Sequence, residues 1–380
     1  MKLVVIGPVY PYRGGIAHYT SQLSHALIEN GHETHIFSFR RQYPGWLYPG
    51  KSDKEPSQPQ LQLEAKYTLD PIYPWTWINT SEAIAKLNPD AVVIHWWTTF
   101  WAPAFWCLSS LLKKKGFKVI FVIHNVAPHE PLPWDNWLAR SVLQFGDAQI
   151  VQAANEQERL LSLLPNANSI LCPHPIYNQF AYEIKISRNE ARNRIMIKQD
   201  LPAVLFFGIV RPYKGLKHAI EAISILKAEG IPVQLIVAGE FWENITEYED
   251  QIIKMNLSDQ IILFDRYIPN EEVGLFFTAA DIFIAPYIDG TQSGSVKIAL
   301  GFNLPIVVTD CVSDDILLNS ESVQIIPSGD SRALAAAISK FISGGLPKRT
   351  RSTYEDDSWK ELIAAIEIIV SQGKAIPEHV

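Results

Sequence analysis

The chain has 380 residues, 47% of them hydrophobic and 19% charged, with a formal net charge of −7. That length suits two domains rather than one core, the apolar fraction excludes an intrinsically disordered chain, and the acidic balance argues against a bulk nucleic-acid binder. Three widely separated cysteines, Cys107, Cys172 and Cys311, show no metal-ligand spacing and fit a reducing compartment.

In chain order, the apolar run 3–6 ends at Gly7 and leads through a loop containing Gly14 and Gly15 into a helical pattern (Ile16, Tyr19, Leu23, Ala26, Leu27) that stops at Gly31. A strand at 34–39 follows, so the unit reads as a parallel βαβ crossover. Met1 and Lys2 run straight into the first strand, which leaves no cleavable signal, and no apolar run approaches the roughly 18 residues of a membrane span. A cytoplasmic protein is expected. Further strands are expected at 91–95, 118–124, 147–151 and 169–172, while the Pro/Tyr/Trp-rich residues 42–77 fit no regular pattern.

A polar stretch, 183–200, reads as a link between domains, after which the pattern restarts with a strand at 203–207. Arg211-Pro212-Tyr213-Lys214-Gly215 then opens a helix over 216–229. Seven positions separate Gly7 from Gly14 and Gly208 from Gly215, with Arg13 or Lys214 just before the second glycine. One plan used twice predicts an α/β protein of two Rossmann-like domains, 1–178 and 195–345. Strands near 233–238, 260–264, 281–285, 305–309 and 323–326 complete the second. A last helix within 355–380 places Trp359, Leu362, Ile363, Ile366, Ile369 and Val370 on one face, and packing that stripe on the first domain would bury it.

Two constellations carry chemistry. Thr291, Gln292, Ser293, Gly294 and Ser295 precede a helical pattern at Val296, Ile298, Ala299 and Leu300. A helix start leaves about four N–H groups unpaired and partly positive, so these residues either cradle a phosphate or simply cap the helix. Arg211 and Lys214 lie in the loop after the second domain's first strand, where open α/β sheets bind ligands, and read as a diphosphate clamp or as solvated surface charge. Nine of the eleven tryptophans precede residue 140, as core filling, sugar platforms or interfacial anchors. Leu108, Leu111 and Leu112 before Lys113-Lys114-Lys115 read as an edge for peripheral membrane contact or as a solvated helix end.

In order and spacing, Gly14-Gly15, GHETHIFSF at 31–39, VIHNVAPHE at 122–130, FGIVRPYKG at 207–215, VAGE at 237–240 and APYIDGTQSGSVKIALGFNLPIVVTD at 285–310 resemble the retaining nucleotide-sugar glycosyltransferases of group 1, or family four, with the GT-B fold. The resemblance implies two domains facing across a cleft and transfer of a hexosyl group from a nucleotide diphosphate sugar to a saccharide or lipid-linked saccharide, as in polysaccharide biosynthesis. By the same likeness Gly15 would meet the donor phosphate, Arg211 and Lys214 would clamp the diphosphate, the 293–295 amides would complete the cradle, and His124 would lie near the transferred sugar. From its residues alone, His124 is a site residue or a hydrogen-bonded structural histidine, and His129-Glu130 orient hydroxyls or pack a loop.

The chain departs from the family's two-glutamate pattern, because Gly290 and Ile298 occupy those positions. Asp289 stands next to the first and is a catalytic candidate beside His124; Glu240 or Asp289 would take over ribose contacts. No Asp-x-Asp motif of the metal-holding kind occurs, and no metal or cofactor is expected. The missing glutamates keep a non-catalytic sugar- or partner-binding protein as an alternative, with a sugar-nucleotide epimerase as another. Neither glycine turn shows the full G-x-G-x-x-G of a nicotinamide enzyme.

Overall fold

A computed structural model describes residues 1–48, 50–59, 61–128, 132–178, 180–181, 186–290, 292–312, 315–318, 320, 322–345 and 357–372. The chain divides into two units, Met1–His174 with Asp357–Val380, and Pro175–Asp356.

The first unit runs β1 (Lys2–Ile6), α1 (Gly15–Glu29), β2 (Glu33–Phe39), β3 (Ala65–Leu69), α2 (Pro74–Leu87), β4 (Ala91–Trp96), α3 (Ala102–Lys114), β5 (Lys118–Ile123), α4 (Asp135–Leu143), β6 (Ala148–Val151), α5 (Ala154–Leu163) and β7 (Ser169–Leu171). Its strands form one parallel sheet in the order β3-β2-β1-β4-β5-β6-β7. The central strands are continuous apolar runs because helices cover both faces of a parallel sheet; every residue of β4 is buried. The 42–77 segment, unassigned from sequence, contains β3 and the start of α2. β3 is an edge strand, AKYTL, with exposed Lys66 and Tyr67, so it carries no apolar run to reveal it.

The second unit runs α6 (Arg188–Arg194), β8 (Ala203–Phe207), α7 (Leu216–Ala228), β9 (Gln234–Ala238), α8 (Ile245–Lys254), β10 (Ile261–Phe264), α9 (Asn270–Ala279), β11 (Ile282–Ala285), α10 (Gly294–Gly301), β12 (Ile306–Thr309), α11 (Asp315–Leu318), β13 (Val323–Ile326) and α12 (Ser331–Ser343). Its parallel sheet has the order β10-β9-β8-β11-β12-β13. The expected polar link at 183–200 is corrected here, because α6 lies inside it and is fastened to the unit. The Arg192 guanidinium is fully buried and donates to the carbonyls of Ala279, Lys198, Gln199 and Leu201 and to Asp281. Arg188 grips the same carboxylate in a fork, at 2.7 and 3.0 Å.

The final helix, α13 (Asp357–Ser371), belongs to the first unit. Its stripe of Trp359, Leu362, Ile363, Ile366, Ile369 and Val370 is buried, with the Trp359 ring 5.1 Å from that of Tyr19 on α1. Lys118 Nζ donates to the carbonyls of Ile369 and Val370 at 2.8 Å each, which satisfies acceptors in the helix's last turn. Each buried Leu or Ile side chain contributes about 1.5–3 kcal/mol, so the stripe is what holds the helix in place. Among the described residues no helix is long and apolar enough to cross a membrane.

Candidate functional site

Three loops meet at the carboxyl ends of the second unit's central strands. The first follows β8: Gly208, a turn at Pro212–Lys214, and Gly215 as the residue that opens α7. Gly215 has φ 70°, and a Cβ there would lie 1.9 Å from the Pro286 carbonyl oxygen, so only glycine lets the loop after β11 approach this closely. Tyr213 O accepts from Ile288 N at 2.7 Å and ties the same two loops. The third loop follows β9, where Val210 N donates to Glu240 O at 2.9 Å and Trp242 N to Val210 O at 3.1 Å. At Gly239 a Cβ would lie 2.0 Å from the Gly208 carbonyl oxygen, which again requires a bare backbone.

Tyr287 joins the side chains of this site. Its ring is buried, and its Oη lies 3.0 Å from Ser293 Oγ and 3.4 Å from Ser295 Oγ, while the two serine oxygens are 2.9 Å apart. Ser293 caps α10 by accepting from Val296 N. Lys214 Nζ sits 5.4 Å from the centre of the Tyr287 ring and beside Gly208. Burial by itself favours the neutral amine of Lys214, but the Tyr287 and Tyr213 phenols outweigh it and its pKa stands above the ordinary lysine value. The Tyr287 carbonyl accepts from Thr309 Oγ1, Cys311 Sγ and Ser328 Oγ, which fixes the backbone that presents the phenol.

The Lys214 loop and the helix entrance therefore converge, with Lys214, Ser293 and Ser295 around one phenol. Arg211 lies in the same loop, its Cζ 5.8 Å from the Tyr213 ring and 5.9 Å from that of Trp242. Gln292 Nε2 is buried with no hydrogen-bond partner among the described residues. Gly294 opens α10, Glu240 is buried at the end of β9, and Asp289 is exposed and accepts from its neighbour Gly290 N. Thr291, His129 and Glu130 lie outside the described residues. Of the two positions that break the glutamate pattern, Ile298 is buried in α10, as is Lys297 beside it, and Gly290 has φ 147°. Tyr287 is the residue that sequence reasoning passed over; its only signal is a tyrosine six and eight positions before two serines.

In the first unit Gly15 is exposed at the start of α1, behind Gly14 at φ 103°. His124 is buried just past β5, with Nε2 3.0 Å from His95 Nδ1 and its ring 4.7 Å from Tyr19. Burial pushes the pKa of His95 down to about 3 and, with help from His95 and His174, that of His124 well below the ordinary value. Both rings are neutral at pH 7. His124 is thus a hydrogen-bonded histidine at a strand's carboxyl end. The apolar edge expected before Lys113 is also corrected: Leu108 and Leu112 are fully buried, and Lys113 pairs with Asp147 at 2.6 Å. No group of three or more His, Cys, Asp or Glu among the described residues is placed to hold a metal ion.

The family model for "Glycosyl transferases group 1" matches residues 201–344, and that for "Glycosyltransferase Family 4" matches residues 13–176. The chain belongs to the group 1 glycosyltransferases. A Salmonella typhimurium protein named as a colanic acid biosynthesis glycosyltransferase is 29% identical over 136 residues, 34% of this chain and 33% of that one. A Bacillus subtilis protein named as a teichuronic acid biosynthesis glycosyltransferase is 24% identical over 262 residues, 67% of this chain and 62% of its own length. The chain thus spans about a third of the first relative and under two thirds of the second. Among solved structures, Anabaena Alr3699/HepE in complex with UDP and glucose shares the fold, with a TM-score of 0.68, 14% identity and 98% of each chain covered. The two parallel-sheet units of this group 1 glycosyltransferase are those of the GT-B class.

Proposed function

We propose that the protein is a retaining, metal-independent glycosyltransferase that moves a sugar from a nucleotide diphosphate sugar to a saccharide or lipid-linked saccharide acceptor. The observation that carries this reading is the convergence of Lys214, Tyr287, Ser293 and Ser295 at the start of α10. An ammonium, hydroxyls and a helix N-terminus together suit an anion with several oxygens. The Gln292 amide, unpartnered among the described residues, supports it, since a buried donor without an acceptor costs about 1–3 kcal/mol and a phosphate oxygen would supply one.

The chemistry follows from charge. When the bond from the sugar's anomeric carbon to the β-phosphate breaks, negative charge collects on the phosphate oxygens, where Lys214, Arg211 and the α10 amides stabilise it. The acceptor hydroxyl forms the new bond from the same face and its proton passes to the departing phosphate, so no carboxylate nucleophile is needed. Glu240 and Asp289 are the carboxylates that the sequence offers to a ribose or sugar hydroxyl. The roles of Gly15 at the phosphate and of His124 at the sugar rest on family likeness. UDP in the Anabaena structure supports a nucleoside diphosphate, and the names of the two bacterial relatives support an acceptor from polysaccharide assembly. Three free thiols suit the cytoplasm.

The test is donor affinity. Lys214→Ala is expected to weaken nucleoside diphosphate binding by about 1.5–3 kcal/mol, roughly tenfold to over a hundredfold. Tyr287→Phe, which keeps the ring and removes the hydroxyl, loses a smaller part. Unchanged calorimetric affinity in a folded Lys214→Ala variant removes Lys214 from the site.

A further inference from the structure

The first unit leaves five tryptophans in water: Trp46 at 84% exposure, Trp137 at 68%, Trp75 at 58%, and Trp134 and Trp106 at about half. Their positions in the fold are related. In a parallel sheet every strand's carboxyl end points to the same edge, where the following loop and the next helix N-terminus also lie. Trp46 is in the connection after β2, Trp75 in the first turn of α2 after β3, Trp106 in the second turn of α3 after β4, and Trp134 and Trp137 at the start of α4 after β5. α2 packs on α3 and α3 on α4, so the three helix starts stand side by side. Trp46, Trp75, Trp134 and Trp137 form a rim along one edge of the unit, whereas the Trp106 ring lies 6.2 Å from that of Phe145, just past the end of α4, and stands outside it.

What surrounds them identifies the partner. Leu47, Ile72, Ile78 and Leu132 are exposed on the same connections. Aliphatic side chains gain nothing from a hydroxylated sugar, but they gain free energy by leaving water for an acyl layer. Exposed Arg40, Lys51 and Lys54 lie on these connections too. The acidic groups there are largely engaged: Asp70 is buried on Arg41, Asp135 is buried on Thr99, and Asp53 lies 3.8 Å from Lys54. Tryptophan, aliphatic and basic side chains in one exposed band match the headgroup region of an anionic bilayer. We propose that this rim docks the protein onto an anionic membrane surface. The Lys113-Lys114-Lys115 run is not part of it, since it ends α3 and so lies at the opposite edge of the sheet.

The experiment is co-sedimentation of the full chain with vesicles of equimolar phosphatidylglycerol and phosphatidylcholine, read together with tryptophan emission. The expected result is partition onto these vesicles, a blue shift of emission, and weaker binding to pure phosphatidylcholine or in high salt. Trp46→Ser, Trp75→Ser and Trp137→Ser combined are expected to lower partition by at least about tenfold. The wild-type blue shift reads the rim without any variant, and an unchanged melting curve shows that the triple variant folds. Absence of partition by the wild-type chain overturns the proposal, as does equal partition of the triple variant. A triple variant that keeps vesicle binding but loses binding of a soluble oligosaccharide makes the rim a sugar platform instead.

Discussion

Lys214 and Ser293 are 79 positions apart in sequence and reach the same phenol. The position of the Lys214 loop was legible because a strand-to-helix loop has a known place in an α/β sheet, and the helix entrance because serine and glycine precede an apolar pattern. Tyr287 was not legible, since its partners follow from how the loop after β11 folds back and from no periodicity. His124, at a strand's carboxyl end, is likewise joined to a residue distant in sequence, with its Nε2 3.0 Å from Nδ1 of His95, 29 positions earlier. This pair makes a pH prediction. Buried and neutral, His95 and His124 refuse protons that the unfolded chain accepts below about pH 6.5, so their stabilising contribution is intact above that pH and is lost as pH falls toward the folded value of about 3 for His95. The slope is up to about 1.4 kcal/mol per pH unit for each histidine. Melting temperature is expected to fall from pH 7 to pH 5, with a shallower fall in His95→Gln; equal slopes in the two proteins contradict the assignment.

Elements were legible where they are apolar and silent where they are held by charge. The central strands announced themselves because covering both faces demands uninterrupted Val, Ile, Leu and Phe. β3 did not, as an edge strand with Lys66 and Tyr67 in water. α6 hid inside a polar stretch because its stability comes from Arg192, whose guanidinium is buried where sequence places a solvated charge. Its counter-charge is Asp281. Burial alone would raise the carboxyl's pKa, but hydrogen bonds from Arg188 and the Ala203 amide and the charge of Arg192 hold it below the usual range. Asp281→Ala strands that guanidinium without a counter-charge and is expected to cost about 3–5 kcal/mol of second-unit stability, measured by urea unfolding. A loss under about 1 kcal/mol means that the carbonyl acceptors suffice for α6.

For the whole molecule, the recurrence of a glycine seven positions after the glycine that closes the first strand proved structural. Gly14 stands immediately before α1 and Gly215 immediately before α7, with φ of 103° and 70°. That shared plan, the two parallel sheets apart from the edge strand β3, and a last helix returned to the first unit were readable because each is a matter of pattern. The anion proposed for the second unit depends on a few side chains, and there the two absent glutamates pull against Lys214, Tyr287 and the serines. Calorimetric titration of the full chain with UDP, GDP and ADP, with and without EDTA, sets these against each other most directly. The account predicts that one of the three binds, that EDTA leaves its affinity unchanged, and that Lys214→Ala weakens it. Binding of none of them contradicts a donor site, and binding that EDTA abolishes contradicts metal independence.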